Sequence, residues 1–238
     1  MTPDGGTGGA GKCRCMTLTE DTGVRGIVVA CGAAADLPAR LGDVPLVHAG
    51  PRPGKAEIDP LLGEHDRLVV LGADADLAAV VVRLMRRELL PGVSVGFVAT
   101  ESGSRVAAHW RLPADPDEAF ALAWKGEDAE ISLVRDDTGG VLLGHATLRD
   151  VKGQAYCDEQ VAFDGTVSGI EVAPDDSGVT ARITRGKLLK RSATFRGRAF
   201  QLGCVPTSSL VIDGVPQERE ITRRTWYRHT ADLRAVRG

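Results

Sequence analysis

Aromatic side chains are scarce, at 4% of the 238 residues. That excludes a stacking platform for single-stranded nucleic acid, which needs rings in series. An excess of basic charge is also missing: 29 Lys and Arg face 32 Asp and Glu, a formal net charge of −3. No dominant nucleic-acid field is expected. No apolar run approaches the ~20 residues of a membrane-spanning helix. The longest, Leu68–Leu71 and Leu77–Val82, are separated by Asp74 and Asp76. Met1–Lys12 is glycine-rich and lacks the apolar stretch of a secretory signal. A cytoplasmic location is therefore expected. Cysteine is sparse as well. Cys13, Cys15, Cys31, Cys157 and Cys204 form an odd, irregularly spaced set, which fits reduced thiols. Cys13-Arg-Cys15 has no second half with which to close a metal site. The five histidines show no H-x-x-x-H or H-E-x-x-H spacing, so metal-dependent hydrolysis is unsupported. Ser102 lies in Glu-Ser-Gly-Ser without the G-x-S-x-G elbow of a nucleophile, and reads as a helix cap.

What remains is a soluble globular composition, 43% hydrophobic and 26% charged, long enough for one large domain or two small ones. Residues 1–23 read as a flexible tail. Within it Gly6-Thr-Gly-Gly-Ala-Gly-Lys-Cys13 nearly spells a P-loop. It lacks the preceding strand, and Cys13 stands where a magnesium-binding hydroxyl is needed. From Arg25 strands and helices alternate. Gly26–Cys31, Val44–His48, Arg67–Leu71 and Val93–Val98 read as strands. Ala33–Leu41, Ile58–His65, Leu77–Leu90, Arg105–Trp110 and Asp115–Lys125 read as helices. From Glu130 the pattern changes to short strands between Gly, Asp and Pro turns. These are Ile131–Val134, Val141–Leu148, Val161–Phe163, Val167–Val172, Val179–Ile183, Ser192–Leu202, Ser208–Ile212 and Leu233–Val236. The expected architecture is a Rossmann-like α/β domain over 24–128 followed by an antiparallel β-sandwich domain over 129–238.

Strand, tight turn and helix follow one another twice, around Gly72–Asp76 and Ala99–Ser104. In a parallel sheet such turns lie at the carboxyl ends of strands, where ligands bind. Glycine there allows close backbone approach, and a following helix offers free amides. Arg182, Arg185, Lys187, Lys190, Arg191, Arg196 and Arg198 form a basic stretch with no acid between Asp176 and Asp213. Its plain reading is solvated strand faces; its functional reading is contact with anionic lipid headgroups or a nucleotide phosphate, which would make the protein peripheral to a membrane. Thr225-Trp-Tyr-Arg-His229 is either an aromatic lid or a set of core anchors, anchors being the default.

One order of parts is specific. Leu68-Val-Val-Leu-Gly-Ala-Asp-Ala-Asp76, a helix, Val95–Pro113 with Thr100-Glu-Ser-Gly-Ser104 and a Leu112-Pro113 stop, then Asp115-Pro-Asp-Glu-Ala119 and a late Asp213-Gly-Val215 resemble the diacylglycerol kinase and lipid kinase family of the NAD-kinase-like superfamily. That family carries G-G-D-G-T, P-x-G-T-x-N, a short helix ending in L-P, D-P-x-x-A and a late D-G-E. The resemblance implies ATP-dependent phosphorylation of a lipid hydroxyl, such as that of diacylglycerol, with Mg2+. It places Gly72, Ala73, Asp74, Ala75, Asp76, Ser102, Gly103 and Ser104 at the nucleotide, Asp74 and Asp213 in catalysis, and Asp74 and Asp76 at the metal. The departures are plain. Ala73 and Ala75 replace glycines, and Asp76 replaces the threonine. Ala99, Glu101, Ser102 and Ser104 stand for proline, glycine, threonine and asparagine, and Val215 stands for the glutamate. The acid motif expected earlier in the β half has Asp164-Gly165-Thr166 as its nearest dipeptide. The alternative implied is a pseudokinase that binds a ligand or regulates without catalysis.

Overall fold

The computed structural model describes residues 25–32, 37–186 and 189–238. The expectations for the N-terminal tail, its near-P-loop, Cys13 and Cys15 lie outside them, as do residues 33–36 and Lys187. The first lobe runs β1 (Gly26–Cys31), β2 (Leu46–Ala49), α1 (Lys55–Ile58), β3 (Arg67–Gly72), α2 (Asp74–Arg86), β4 (Ser94–Ala99), α3 (Arg105–His109), α4 (Pro116–Lys125) and β5 (Asp128–Ile131). The second runs β6 (Val134–Asp136), β7 (Val141–Leu142), β8 (Ala146–Cys157), β9 (Gln160–Asp175), β10 (Gly178–Arg185), β11 (Arg191–Gly197), β12 (Ala199–Thr207), β13 (Val211–Ile212), β14 (Val215–Pro216) and β15 (Ile221–Arg228). A last strand, β16, spans Leu233–Val236.

The first sheet has the order β2-β1-β3-β4-β16-β5. β1, β2, β3 and β4 are parallel, β16 joins parallel to β4, and β5 closes antiparallel. The continuous apolar runs of β1 and β3 are buried on both faces, as a parallel sheet covered by helices requires. Val29, Leu68 and Val70 pack toward α2, whose Leu77, Val80, Val81 and Leu84 are fully buried. Val28, Val69 and Leu71 pack the other way, against Phe120 and Ala123 of α4. Each such side chain contributes about 1.5–3 kcal/mol of burial. α4 approaches β4 closely because position 96 is glycine. A Cβ there would stand 2.6 Å from the Ala123 carbonyl oxygen and 2.8 Å from its Cβ. Gly96→Ala should therefore cost about 1–3 kcal/mol by forcing the helix off the sheet; urea unfolding with an unchanged midpoint would refute that.

The second sheet has the order β11-β10-β9-β8-β12-β15-β6-β7, with the β13–β14 hairpin attached to β8. It folds over so that β10 lies against β12 and β15. The core between holds Phe163, Phe200, Trp226 and Ile170. Trp226 is thus a core anchor, stacked on Phe200. Among the described residues no helix is long and apolar enough to cross a membrane.

Several expected elements move. Leu233–Val236 is not part of the β lobe: it returns to the first sheet between β4 and β5, because its apolar residues complete the core against Val95 and Ile131. The helix expected over Ile58–His65 ends at Ile58, where Pro60 starts a 3-10 turn over Asp59–Leu61. The described part of the expected Ala33–Leu41 helix is one 3-10 turn, Ala39–Leu41, after Pro38. Val141–Leu148 breaks at Gly144, and Ser192–Leu202 at Gly197–Arg198. Val161–Phe163 and Val167–Val172 are one strand, β9. β15 was not anticipated as a strand.

Candidate active-site cleft

β3 and β4 end side by side, with Gly72 paired to Ala99 and the Thr100 amide donating to the Gly72 carbonyl at 3.0 Å. The two bends are therefore neighbours. The first of them borders the place where strand order reverses between β1 and β3, the usual ligand crevice of an open parallel sheet. A cavity of about 310 Å³ opens there, lined by Cys31, Arg52, Ala73, Asp76, Glu101 and Val215 among others.

The first bend is filled from within. Asp76 is buried, and its carboxylate accepts the Ala73 amide at 2.8 Å and the Arg52 amide at 2.6 Å. A Cβ on Gly72 would lie 2.6 Å from Asp76 Oδ2. The hollow that glycine leaves thus holds a carboxylate. Cys31 beside it is inert: burial first, then the charges of Asp76 and Glu57, push its thiol up to about 12.

The second bend is capped by Asp74. Its carboxylate accepts the Ser104 hydroxyl, the Arg105 amide at 2.8 Å and the Val106 amide at 3.3 Å. Ser104 Oγ in turn accepts the Ala107 amide at 2.9 Å, so the cap expected of Ser102 is supplied by Ser104, the residue that directly precedes the helix. Asp74 and Asp76 were expected to share a metal. They do not converge, since residues two apart on a helix point to different sides. Among the described residues no group of three or more His, Cys, Asp or Glu could hold a metal ion. Ser102 and Gly103, with Ser104, line a second cavity of about 410 Å³ reaching Leu112, Pro113 and Ala119.

The other wall comes from the β lobe. Asp213 and Gly214 both have positive φ, 45° and 81°, so the Asp-Gly pair makes the tight hairpin turn between β13 and β14. The turn points the Asp213 carboxylate at the amides of Leu143, Gly144 and His145, at 3.2, 2.9 and 2.9 Å. Burial raises its pKa to about 7 despite those three donors, and the nearby charge of Asp74 adds to the rise. Gly144 sits between the two acids. A Cβ on it would be 3.0 Å from Asp213 Oδ1 and 3.2 Å from Asp74 Oδ2. Asp74 and Asp213, 139 positions apart in sequence, thus face one narrow gap.

Sequence reasoning missed Arg105, Gly144 and His145. Arg105 packs against Gly144. His145 Nδ1 is buried without a partner, and burial, then Arg105, hold the imidazole below its ordinary range. The interruption of an apolar strand by Gly144-His145 was the available signal. Asp164-Gly165 lies on the exposed part of β9, where Asp164 meets Gln154 rather than the cleft.

No protein-family model matches the chain, and no curated protein matches it in sequence. Solved structures do. A crystal structure of a diacylglycerol kinase from Bacillus anthracis str. Sterne superposes with a TM-score of 0.73 at 10% identity, covering 90% of this chain and 97% of the other. A putative diacylglycerol kinase from the same organism gives 0.74 at 8%, covering 91% and 98%. This chain has a diacylglycerol kinase-like fold. An NAD kinase from Archaeoglobus fulgidus, in complex with ATP, gives 0.56 at 12%, covering 89% and 93%. The fold is therefore of the wider NAD-kinase-like kind.

Within this lipid-kinase-like fold the substituted positions have defined surroundings. Val215 lines the cavity with Asp76, so the place of the resemblance's glutamate faces the first bend and carries no carboxyl. Among the described residues the basic stretch is divided between two faces. Arg182 and Arg196 lie on one face of β10 and β11, and Arg185 and Arg191 on the other. Arg196 pairs with Asp175 at 3.6 Å, and Arg182 stands opposite Glu171.

Proposed function

We propose that this chain is a non-catalytic relative of the lipid kinases, a binding or regulatory protein that keeps the acceptor side of the cleft and has lost the nucleotide side. The observation that carries this reading is the Asp76 carboxylate inside the Gly72 bend, on the amides of Ala73 and Arg52. A nucleotide phosphate brought to that bend meets a fixed negative charge and finds those two donors taken. Ala73 and Ala75 add Cβ atoms where close approach needs glycine. The residues therefore do not fit ATP phosphates at this bend. Val215 removes a further group able to accept a proton. On the acceptor side Asp74, Asp213, Arg105 and His145 remain around Gly144. Two acids across a narrow gap suit a hydroxyl-bearing headgroup of the diacylglycerol class.

Thermal unfolding with and without millimolar ATP–Mg2+ tests this. A ligand at a hundred times its Kd adds about 2.7 kcal/mol; no shift is expected. A gain is expected from Ala73→Gly, Ala75→Gly, Asp76→Thr and Val215→Glu combined, which clear the bend and return a carboxyl: the ATP–Mg2+ shift should appear only there. A wild-type shift as large as that variant's would overturn the reading.

A second reading, an active lipid kinase, is favoured by one observation. Asp213, beside Asp74, titrates at about 7 and so is suited to take a proton from a hydroxyl at neutral pH. Magnesium takes one or two carboxylates and completes its shell with water and substrate oxygens, so Asp74 alone would be its ligand. Radiolabel transfer from ATP to a lipid extract, abolished by Asp74→Asn, would establish this reading over the first.

A further inference from the structure

Away from the cleft, a cavity of about 550 Å³ lies between the lobes at the far end of α2. Arg86, on the last turn of α2, reaches it from the first lobe, and Arg135, on β6, from the second. The two guanidinium groups have no carboxylate partner. Arg135 Nε is buried with no hydrogen-bond partner at all, and its guanidinium carbon stands 5.4 Å from the Tyr227 ring centroid. Arg86 Nη2 lies over Gly139, 3.9 Å from where a Cβ would stand. A buried donor without a partner is costly, and two like charges around one cavity repel. An anion entering the cavity removes the repulsion.

The surroundings say what kind of anion. His229 and Thr230 line the same cavity, and burial, then the Arg135 charge, hold the His229 imidazole below its ordinary range. Met85, Leu90 and Pro91 supply an apolar wall, and Glu88 stands exposed at the rim. Two guanidiniums with hydroxyl and imidazole donors match a tetrahedral dianion, the geometry at which arginine is strongest. The position matters as well. The chain crosses between lobes twice, from β5 to β6 and from β15 to β16, and the His229 amide ties these crossings together by donating to the Leu133 carbonyl at 2.7 Å. α2 runs from Asp74 at the cleft to Arg86 here, about 20 Å at 1.5 Å per residue.

We propose that this interlobe cavity is an effector site for a phosphomonoester, held between Arg86 and Arg135, whose binding fixes the two lobes relative to each other. It stands independently of whether the cleft is catalytic. The ligand is either free phosphate or a lipid whose headgroup is a phosphomonoester, the latter using the apolar wall.

Isothermal titration of the full chain at low ionic strength, with inorganic phosphate and with short-chain dihexanoyl phosphatidate, tests this. Saturable binding is expected, weakened tenfold or more in Arg135→Gln and in Arg86→Gln and unchanged in Asp74→Asn. Arg86 is exposed and unpaired, so its variant keeps the fold even where Arg135→Gln lowers stability. Glu88→Gln should tighten binding. Equal affinity for both probes assigns the site to the phosphate group; a tenfold preference for phosphatidate assigns it to the lipid. Absence of binding by both probes, or binding undiminished in Arg86→Gln, overturns the proposal.

Discussion

Asp213→Asn should become more stable relative to the wild type as pH rises, by about 3 kcal/mol between pH 5 and 8. In the folded chain Asp213 keeps its proton up to about 7, against 3.8 for the unconstrained side chain. Between those values the native state binds the extra proton. Its contribution to stability is therefore complete below pH 3.8 and is lost as pH climbs through 7. Asparagine carries no charge at any pH and removes that slope. It also gives up one acceptor, since its amide nitrogen cannot take one of the three backbone donors, and this lowers stability equally at every pH. His109, His145 and His229 are all held below their ordinary range, burial first. They add stability as pH rises toward 6.5, the opposite sign, and cancel when variant and wild type are compared. With roughly 2–4 °C per kcal/mol for a chain of this size, the difference in midpoint should grow by about 6–12 °C. Thermal melts at four pH values measure it; a difference that stays constant would mean that Asp213 titrates as an ordinary carboxylate.

Asp136→Ala should lower stability by about 3–5 kcal/mol, the cost of leaving a buried charge without its partner. Asp136 and Arg224 are both buried, with Arg224 Nη1 donating to Asp136 at 3.2 Å. Arg224 also donates to Thr138 Oγ1 at 2.6 Å, and its Nε already lacks a partner. The same Asp136 oxygen set accepts the amides of Thr138 and Gly140, both at 2.9 Å, and so shapes the β6–β7 turn. Alanine removes the counter-charge and the turn's acceptor together. Asp137, 3.8 Å from Arg224 and more exposed, replaces only part of the charge. Arg224→Met in the Asp136→Ala background should recover part of the loss, because no charge then remains buried. Urea unfolding gives both numbers. A loss below ~1 kcal/mol, or no recovery in the double variant, would show that the pair does not carry the effect.

The sequence made the first lobe legible because its signals are local. The apolar runs of β1 and β3, the periodicity of α2 and the Asp115 cap of α4 each act within a few residues. The second lobe was legible in kind and less so in detail. Gly144 and Gly197–Arg198 end strands by geometry that an apolar pattern does not reveal, while β9 continues through Asp164-Gly165 because β8 pairs with it there, Gln154 against Asp164 and Gly153 against Gly165. The cleft was half legible. Asp74, Ser104 and Asp213 were named from motifs, whereas Arg105, Gly144 and His145 carry no motif of their own.

By itself the sequence determined an α/β lobe followed by an antiparallel one, two bends at strand ends, and an acid on each lobe. These follow from periodicity and turn chemistry, which operate over one or two turns of chain. Only the tertiary structure decided that Leu233–Val236 returns to the first sheet, that Asp76 turns into its own bend, and that Asp74 meets Asp213 across Gly144. The first and third depend on which surfaces pack together over more than a hundred positions, and the second on the Arg52 amide, 24 positions away. Contacts between distant segments decide them, not the residues' immediate neighbours.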